Sequence, residues 1–231
     1  MKIPDILAET DDIASAENKQ QAVYDAIKAA MMRGEFPEGT IMVERKLCER
    51  FGVSRSPVRE ALKRFVREGL MDFTTGNRVI IPYVTIEEIM DVYDVLELIE
   101  PYIARRFMKY ATPEQVTALG KCLDDMSAAL AKGDMQPLVW GDLEFHTSLL
   151  YGSGLHRNRA ELGSMCAQRI RIMSTLVPDN RDRAELSDAQ HRRIYDAILA
   201  KDGDELERAV KAHIASVRAT YIELFARRER K

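Results

Sequence analysis

At 231 residues the chain is too long for one small binding module and suits about two domains, each with its own core. It has no run of eighteen apolar residues, and Met1-Lys2-Ile3-Pro4-Asp5 lacks the basic-then-apolar order of a signal peptide, which argues against a membrane span and predicts a soluble, cytoplasmic protein. The net charge of −3 divides into −3 over residues 1–15, +3 over residues 16–84 and −3 over residues 85–231, so basic charge is concentrated in one segment.

Residues 1–15 read as a flexible tail. After them, Val23, Ile27, Ala30 and Met31 recur at helical spacing, and the pattern stops at Gly34 before a turn-rich stretch. Leu47, Cys48 and Phe51 predict a short second helix closed by Gly52, the residue that most cheaply takes the left-handed conformation. A third helix opens with Ser54 or Ser56 as cap and Pro57 in its first turn, where a missing N–H costs nothing. Val58, Ala61, Leu62, Phe65 and Val66 form its buried stripe, while Arg55, Ser56, Arg59 and Lys63 fall on the opposite side. Two guanidiniums one turn apart can fork onto guanine or phosphate. Leu70 to Thr74 and Arg78 to Pro82, flanking Thr75-Gly76-Asn77, give a hairpin signal beside that helix. Residues 16–84 therefore predict a winged helix-turn-helix with double-stranded DNA as its partner.

Residues 85–231 read as helix throughout, so the predicted fold is mostly α: a winged helix-turn-helix, then an antiparallel helical bundle. Thr85-Ile86-Glu87-Glu88 and Thr112-Pro113-Glu114-Gln115 are capping boxes that start helices near Ile86 and Pro113. Pro101 should kink or split the first of these. Val116, Leu119, Leu123, Met126 and Leu130 form a seam ending at Gly133-Asp134. Further helices are expected over Met135–Tyr151, Asn158–Val177, Leu186–Lys201 and Asp204–Arg227. Cys48, Cys122 and Cys166 are widely spaced among apolar neighbours and read as reduced packing thiols.

Four polar residues stand on apolar helical faces in this second region. Asp142 and His146 share a face with Val139, Leu143 and Leu150; His191 shares one with Ile194 and Ile198; His213 shares one with Leu206, Val210 and Val217. An ionised aspartate buried without a partner is costly, and each buried imidazole needs its nitrogens satisfied. One divalent transition metal per chain meets both demands, with zinc the first expectation and nickel, manganese or iron also compatible with these ligands. His156 lies in a loop beside Gly154 and is left outside the group.

Two resemblances follow from these residues. Glu35-Phe36-Pro37-Glu38-Gly39-Thr40, Glu44-Arg45-Lys46-Leu47 and Phe51 through Leu62 resemble the DNA-binding domain of GntR-family regulators, over about Ala22 to Val84. The resemblance implies that Arg45, Arg55 and Arg59 contact bases or phosphates, that Ser54 and Ser56 assist at phosphates, and that Gly76 lets the wing tip approach the minor groove. Asp142-Leu143-Glu144-Phe145-His146, His191 through Ile198, Gly203-Asp204 and Ala212-His213-Ile214 resemble the metal-containing FCD effector-binding domain of the FadR-type branch, over about residues 86–226. It implies that Asp142, His146, His191 and His213 hold the metal and that a small carboxylate metabolite binds beside it. Many members carry arginine where Leu96 stands and glutamate where Gln190 stands. Arg105, Arg106, Arg169 and Arg171 are the candidates to contact the acid in place of that arginine, Arg105 and Arg169 foremost.

The expected function is a homodimeric, ligand-responsive repressor, because a single module makes few base contacts and two-fold symmetry doubles them. A metal-dependent enzyme is the alternative from another class; Glu144, two residues from both Asp142 and His146, sits on another helical face and offers no evident general base. A constitutive DNA binder with a purely structural metal is the third reading.

Overall fold

The computed structural model describes residues 13–176, 181–228 and 230, and the chain divides into two compact units, Met1–Val84 and Thr85–Lys231. The first unit holds α1 (Ile13–Met32), α2 (Glu44–Phe51), α3 (Arg55–Arg67) and an antiparallel pair, β1 (Asp72–Phe73) with β2 (Val79–Ile80). Helices α1 and α3 pack through Val23, Ile27, Val58 and Phe65, each fully buried, and the Tyr24 ring stacks on Phe65 at 4.4 Å. Fully burying side chains of this size contributes about 1.5–3 kcal/mol each.

Gly52 takes the left-handed conformation predicted for it (φ 67°) and turns α2 into α3. Ser54 is the residue before α3 with extended backbone, but its hydroxyl makes no capping bond. The wing is shorter than its sequence signal. Only two residues per strand pair, in the register Asp72 with Ile80 and Phe73 with Val79, and Ile41 adds a single bridge to Ile80. At the turn, Asn77 rather than Gly76 carries the positive φ (56°), a conformation asparagine tolerates better than most side chains.

The second unit holds α4 (Ile86–Tyr110), α5 (Pro113–Lys132), α6 (Met135–Gly152), α7 (Arg159–Leu176), α8 (Arg181–Ala200) and α9 (Gly203–Arg228). Short connections bring α5 against α6, α6 against α7 and α8 against α9, while α4 packs on α9, α6 and α7. Thr112 and Gln115 form a complete capping box, and Thr85 accepts from the Glu88 N–H. Helix α4 runs unbroken through Pro101, so the expected split does not occur. Helix α8 starts at Arg181, five residues before the expected Leu186. Residues 1–12, where most of the expected tail falls, and Val177, the expected end of α7, lie outside the described residues; Ile13 to Ser15 belong to α1. Gly141 sets the approach of α6 to α5, because a Cβ there would run into Met126 Cγ. No described helix is long and apolar enough to cross a membrane.

Candidate metal centre and nucleic-acid interface

In the first unit, Arg45, Ser54, Arg55, Ser56, Arg59 and Gly76 are all exposed. Among the described residues, Arg55, Ser56, Arg59 and Lys63 on the side of α3 away from the Val58–Phe65 stripe stay exposed. From α3, Arg59 forks onto Glu44 of α2 through Nε and Nη2, both at 3.1 Å, and within α2 Arg45 pairs with Glu49 at 2.7 Å. Such exposed pairs contribute little to stability, so the arginines can exchange carboxylate for phosphate or base at small cost. Cys48, Cys122 and Cys166 are free thiols, and burial pushes the last two up to about 12, consistent with unreactive packing groups.

In the second unit, α6 contributes Asp142 and His146 one turn apart, α8 contributes His191 and α9 contributes His213. One ligand atom from each of the four lies within 4.8 Å of all the others, and the three histidines are buried. His146 Nε2 and His191 Nε2 are 3.3 Å apart, and Asp142 Oδ1 lies 3.5 Å from His191 Nε2. The donor set is thus the one read from helical periodicity, drawn from three helices, α6, α8 and α9.

The outer nitrogens of two of these rings are held. His146 Nδ1 lies 2.9 Å from Glu100 Oε2, and His213 Nδ1 lies 3.1 Å from Gln190 Oε1. An amide oxygen only accepts, so His213 Nδ1 carries hydrogen and its Nε2 is left with a lone pair, while Glu100 holds the His146 ring by its Nδ1 side. Burial pushes His191 down to about 3 from an ordinary 6.5, against the pull of Asp142, and drives His213 well below the ordinary range, so these imidazoles stay neutral. A direct hydrogen bond from His191 to His146 would satisfy two groups and leave Asp142 and His213 facing the same point. A cation satisfies all four. Ligands at roughly 2.0–2.2 Å around a tetrahedral ion stand about 3.3–3.6 Å from one another, which matches the two short separations.

Glu100 is the functional residue that periodicity alone did not nominate. It is 4% exposed in α4, between His146 and Arg169, whose Nη1 lies 2.9 Å from Glu100 Oε1. Burial raises its pKa, but the arginine and the histidine outweigh that and hold the carboxyl at about 2. The signal was present: in α4 the stripe Ile89, Val92, Leu96, Ile103 and Phe107 is interrupted by one carboxylate, and in α7 the stripe Leu162, Cys166, Met173 and Leu176 is interrupted by one guanidinium. Opposite charges at stripe positions of two packed helices mark a buried pair.

A cavity of about 60 Å³ opens beside the cluster, lined by Asp142, His213, Tyr93, Arg169, Arg183 and apolar side chains. Of the arginines considered for an acid, Arg169 lines it and is 3% exposed. Arg105 does not: it reaches Asp204 at 2.8 Å and Glu207 at 3.0 Å on α9, with 41% of its side chain exposed. That corrects the expectation for Arg105, which faces surface carboxylates and not the cavity. Arg106 donates from Nε to the Ser153 carbonyl, and Arg171 is buried against Glu88. Leu96 is fully buried and offers no donor.

The FCD domain model matches residues 91–216, and that of the bacterial regulatory proteins, gntR family, matches residues 19–81. The HTH-type transcriptional repressor NanR of Cronobacter sakazakii (strain ATCC BAA-894) is 30% identical over 226 residues, covering 87% of this chain and 84% of that protein. An uncharacterized HTH-type transcriptional regulator, YdhC of Bacillus subtilis (strain 168), is 27% identical over 191 residues, covering 82% and 85%. Among solved structures, E. coli McbR/YncC superposes with a TM-score of 0.79 at 18% identity, over 90% of this chain and 98% of that one, a likeness of fold alone.

Proposed function

We propose, from the premise that the chain belongs to the GntR family of bacterial regulatory proteins in its FCD-containing form, that it is a repressor responding to a small organic or sugar acid at a metal centre. As a family member it is a DNA-binding transcription regulator and not an enzyme. The finer reading adds the ligand, the metal, the homodimer and the residues. The observation that carries it is the convergence of Asp142, His146, His191 and His213 beside a cavity that two buried arginines line.

In this reading those four residues hold one divalent transition ion per chain, zinc first. When bound, the ion supplies a Lewis-acidic contact for an oxygen of the incoming acid. Glu100 and Gln190 fix the ring orientation of His146 and His213 from the outer side, the role outer partners play around metal-bound imidazoles. Arg55 and Arg59 read base edges from α3, Arg45, Ser54 and Ser56 hold phosphates, and Gly76 lies at the wing tip over the minor groove. Two copies place one α3 in each half-site of a pseudo-palindromic operator in the cytoplasm. The acid acts by favouring one arrangement of the dimer over the other, and DNA and acid must then alter each other's affinity by the same factor.

The test is selection of duplexes against the full chain loaded with zinc, followed by titration of the enriched duplex with a panel of small acids. The reading expects a two-fold-related sequence and at least one acid that shifts its affinity tenfold or more. An enriched duplex whose affinity no acid alters would contradict it and favour constitutive binding.

A further inference from the structure

We infer that the Glu88 carboxylate is a two-position latch at the start of α4, held by Arg171 when the metal centre is filled and turned back onto the Thr85 N–H when it is empty. The latch concerns the regulation of the proposed metal centre and rests on that reading of the cluster.

Two helices of the second unit open with the same sequence signal but are not capped alike. At α5 the Thr112 hydroxyl accepts from the Gln115 N–H, and Gln115 Oε1 accepts from the Thr112 N–H at 2.9 Å. At α4 the Thr85 hydroxyl accepts from the Glu88 N–H at 3.2 Å, and there the reciprocity stops. The Glu88 carboxylate lies on the buried guanidinium of Arg171 in α7, and the exposed Thr85 N–H has no protein partner among the described residues. Glutamate closes a capping box as glutamine does, so this one carboxylate has two alternative partners, a buried cation and a backbone donor three residues back. Two discrete arrangements are what an element needs in order to carry a signal.

Helix α7 connects the latch to the metal centre. Arg169 and Arg171 stand two residues apart on it, and both end on carboxylates of α4, Arg169 on Glu100 and Arg171 on Glu88. Those carboxylates are about 18 Å apart along the helix, so α7 is fastened to α4 at two separate points. Glu100 also holds His146, its Oε2 lying 2.9 Å from Nδ1. An ion bound through His146 fixes that ring and with it Glu100 and Arg169, which keeps α7 seated and Arg171 on Glu88. Without the ion those contacts loosen, and the capping box is the arrangement that leaves no backbone donor of the first turn without a partner. On the other side, Val84, where the first unit ends, donates its N–H to Glu38 Oε1 at 2.5 Å. Only Thr85, Ile86 and Glu87 lie between that anchor and Glu88, so the latch decides whether the segment joining the units enters α4 tied to α7 or capped on its own.

The experiment uses the full chain, stripped of metal and then titrated with zinc, and follows amide hydrogen exchange at Thr85 and Thr112 by NMR, with zinc affinity measured by chelator competition. Filling the centre should speed exchange at Thr85 about fivefold, the size of effect one capping bond exerts, while Thr112, whose box does not change, exchanges no faster. Stabilisation by a bound ligand alone would slow both amides, so the sign separates the latch from general tightening. In Glu88→Gln, which can close the box as Gln115 does but cannot pair with Arg171 as an anion, Thr85 should exchange slowly with or without zinc. Zinc affinity of that variant should fall threefold or more, because latch and ion must alter each other's equilibrium by the same factor. Arg171→Met removes the other partner and should behave alike; should it fail to fold, Glu88→Gln decides alone. Thr85 exchange that zinc leaves unchanged or slows in the wild-type chain, or a Glu88→Gln variant with wild-type response or wild-type zinc affinity, overturns the proposal. Such results with stoichiometric zinc bound count against the latch alone, whereas a chain that takes up no zinc overturns the reading beneath it and the latch with it.

Discussion

The two units place their polar residues on opposite terms. In the first, Arg45 and Arg59 lie exposed on glutamates of α2, and the buried side chains among the described residues of that unit are apolar. In the second, Glu100, His146, His191, His213 and Arg169 are buried where the core would otherwise be apolar. The lesson is one of cost. Exposed arginines are held loosely enough to exchange partners, whereas buried groups tolerate only partners of fixed geometry.

Glu100→Ala breaks the buried side most severely. It leaves Arg169 without its carboxylate and His146 without its acceptor, and should cost about 3–5 kcal/mol in urea unfolding; a loss under about 1 kcal/mol would mean the pair is not the anchor described here. Acid is the next largest probe. His191 and His213 are neutral when folded but take up protons near 6.5 when unfolded, so the unfolded state binds more protons below that pH. Stability is therefore retained above about pH 6.5 and lost as pH falls, by about 2–3 kcal/mol between pH 7.5 and 5.5 for the two rings together. Below 4.5, protonation of unfolded Glu100 adds to the loss, down to its folded value of about 2. Flat unfolding midpoints across pH 7.5 to 5.5 would show the rings are not held neutral. On the exposed side, Gly52→Ala forces a side chain into left-handed backbone and should cost about 1–2 kcal/mol in thermal unfolding; no shift would place the turn elsewhere. Smallest of all, Arg59→Ala should leave the unfolding midpoint where it was, yet lower affinity for the selected duplex by about ten- to a hundredfold over non-specific DNA. Equal loss on both duplexes would reassign Arg59 from bases to phosphates.

Much of this was legible in the sequence because the relevant signals are local. The Gly52 turn, Pro57 in the first turn of α3, the Thr112 capping box and the inward faces of Asp142, His146, His191 and His213 all follow from spacing of three or four residues. What escaped depends on neighbours distant in the chain. Arg105 and Arg169 look alike as helical arginines, and only the packing of α4 on α9 and of α7 on α4 sends one to surface carboxylates and buries the other on Glu100. The first turn of α8 was missed because Arg181 to Glu185 shows no apolar period, although Arg183 is buried there against Ser216 and Gln190. The wing's two-residue strands show that a β-rich stretch reports turn position better than ladder length.

Elemental analysis of untagged full chain, beside His191→Ala prepared in the same way, bears most directly on the metal centre. About one divalent transition ion per wild-type chain, lost or sharply reduced in the variant, is the predicted result. A wild-type chain that carries no stoichiometric transition metal and does not take one up on addition would contradict it.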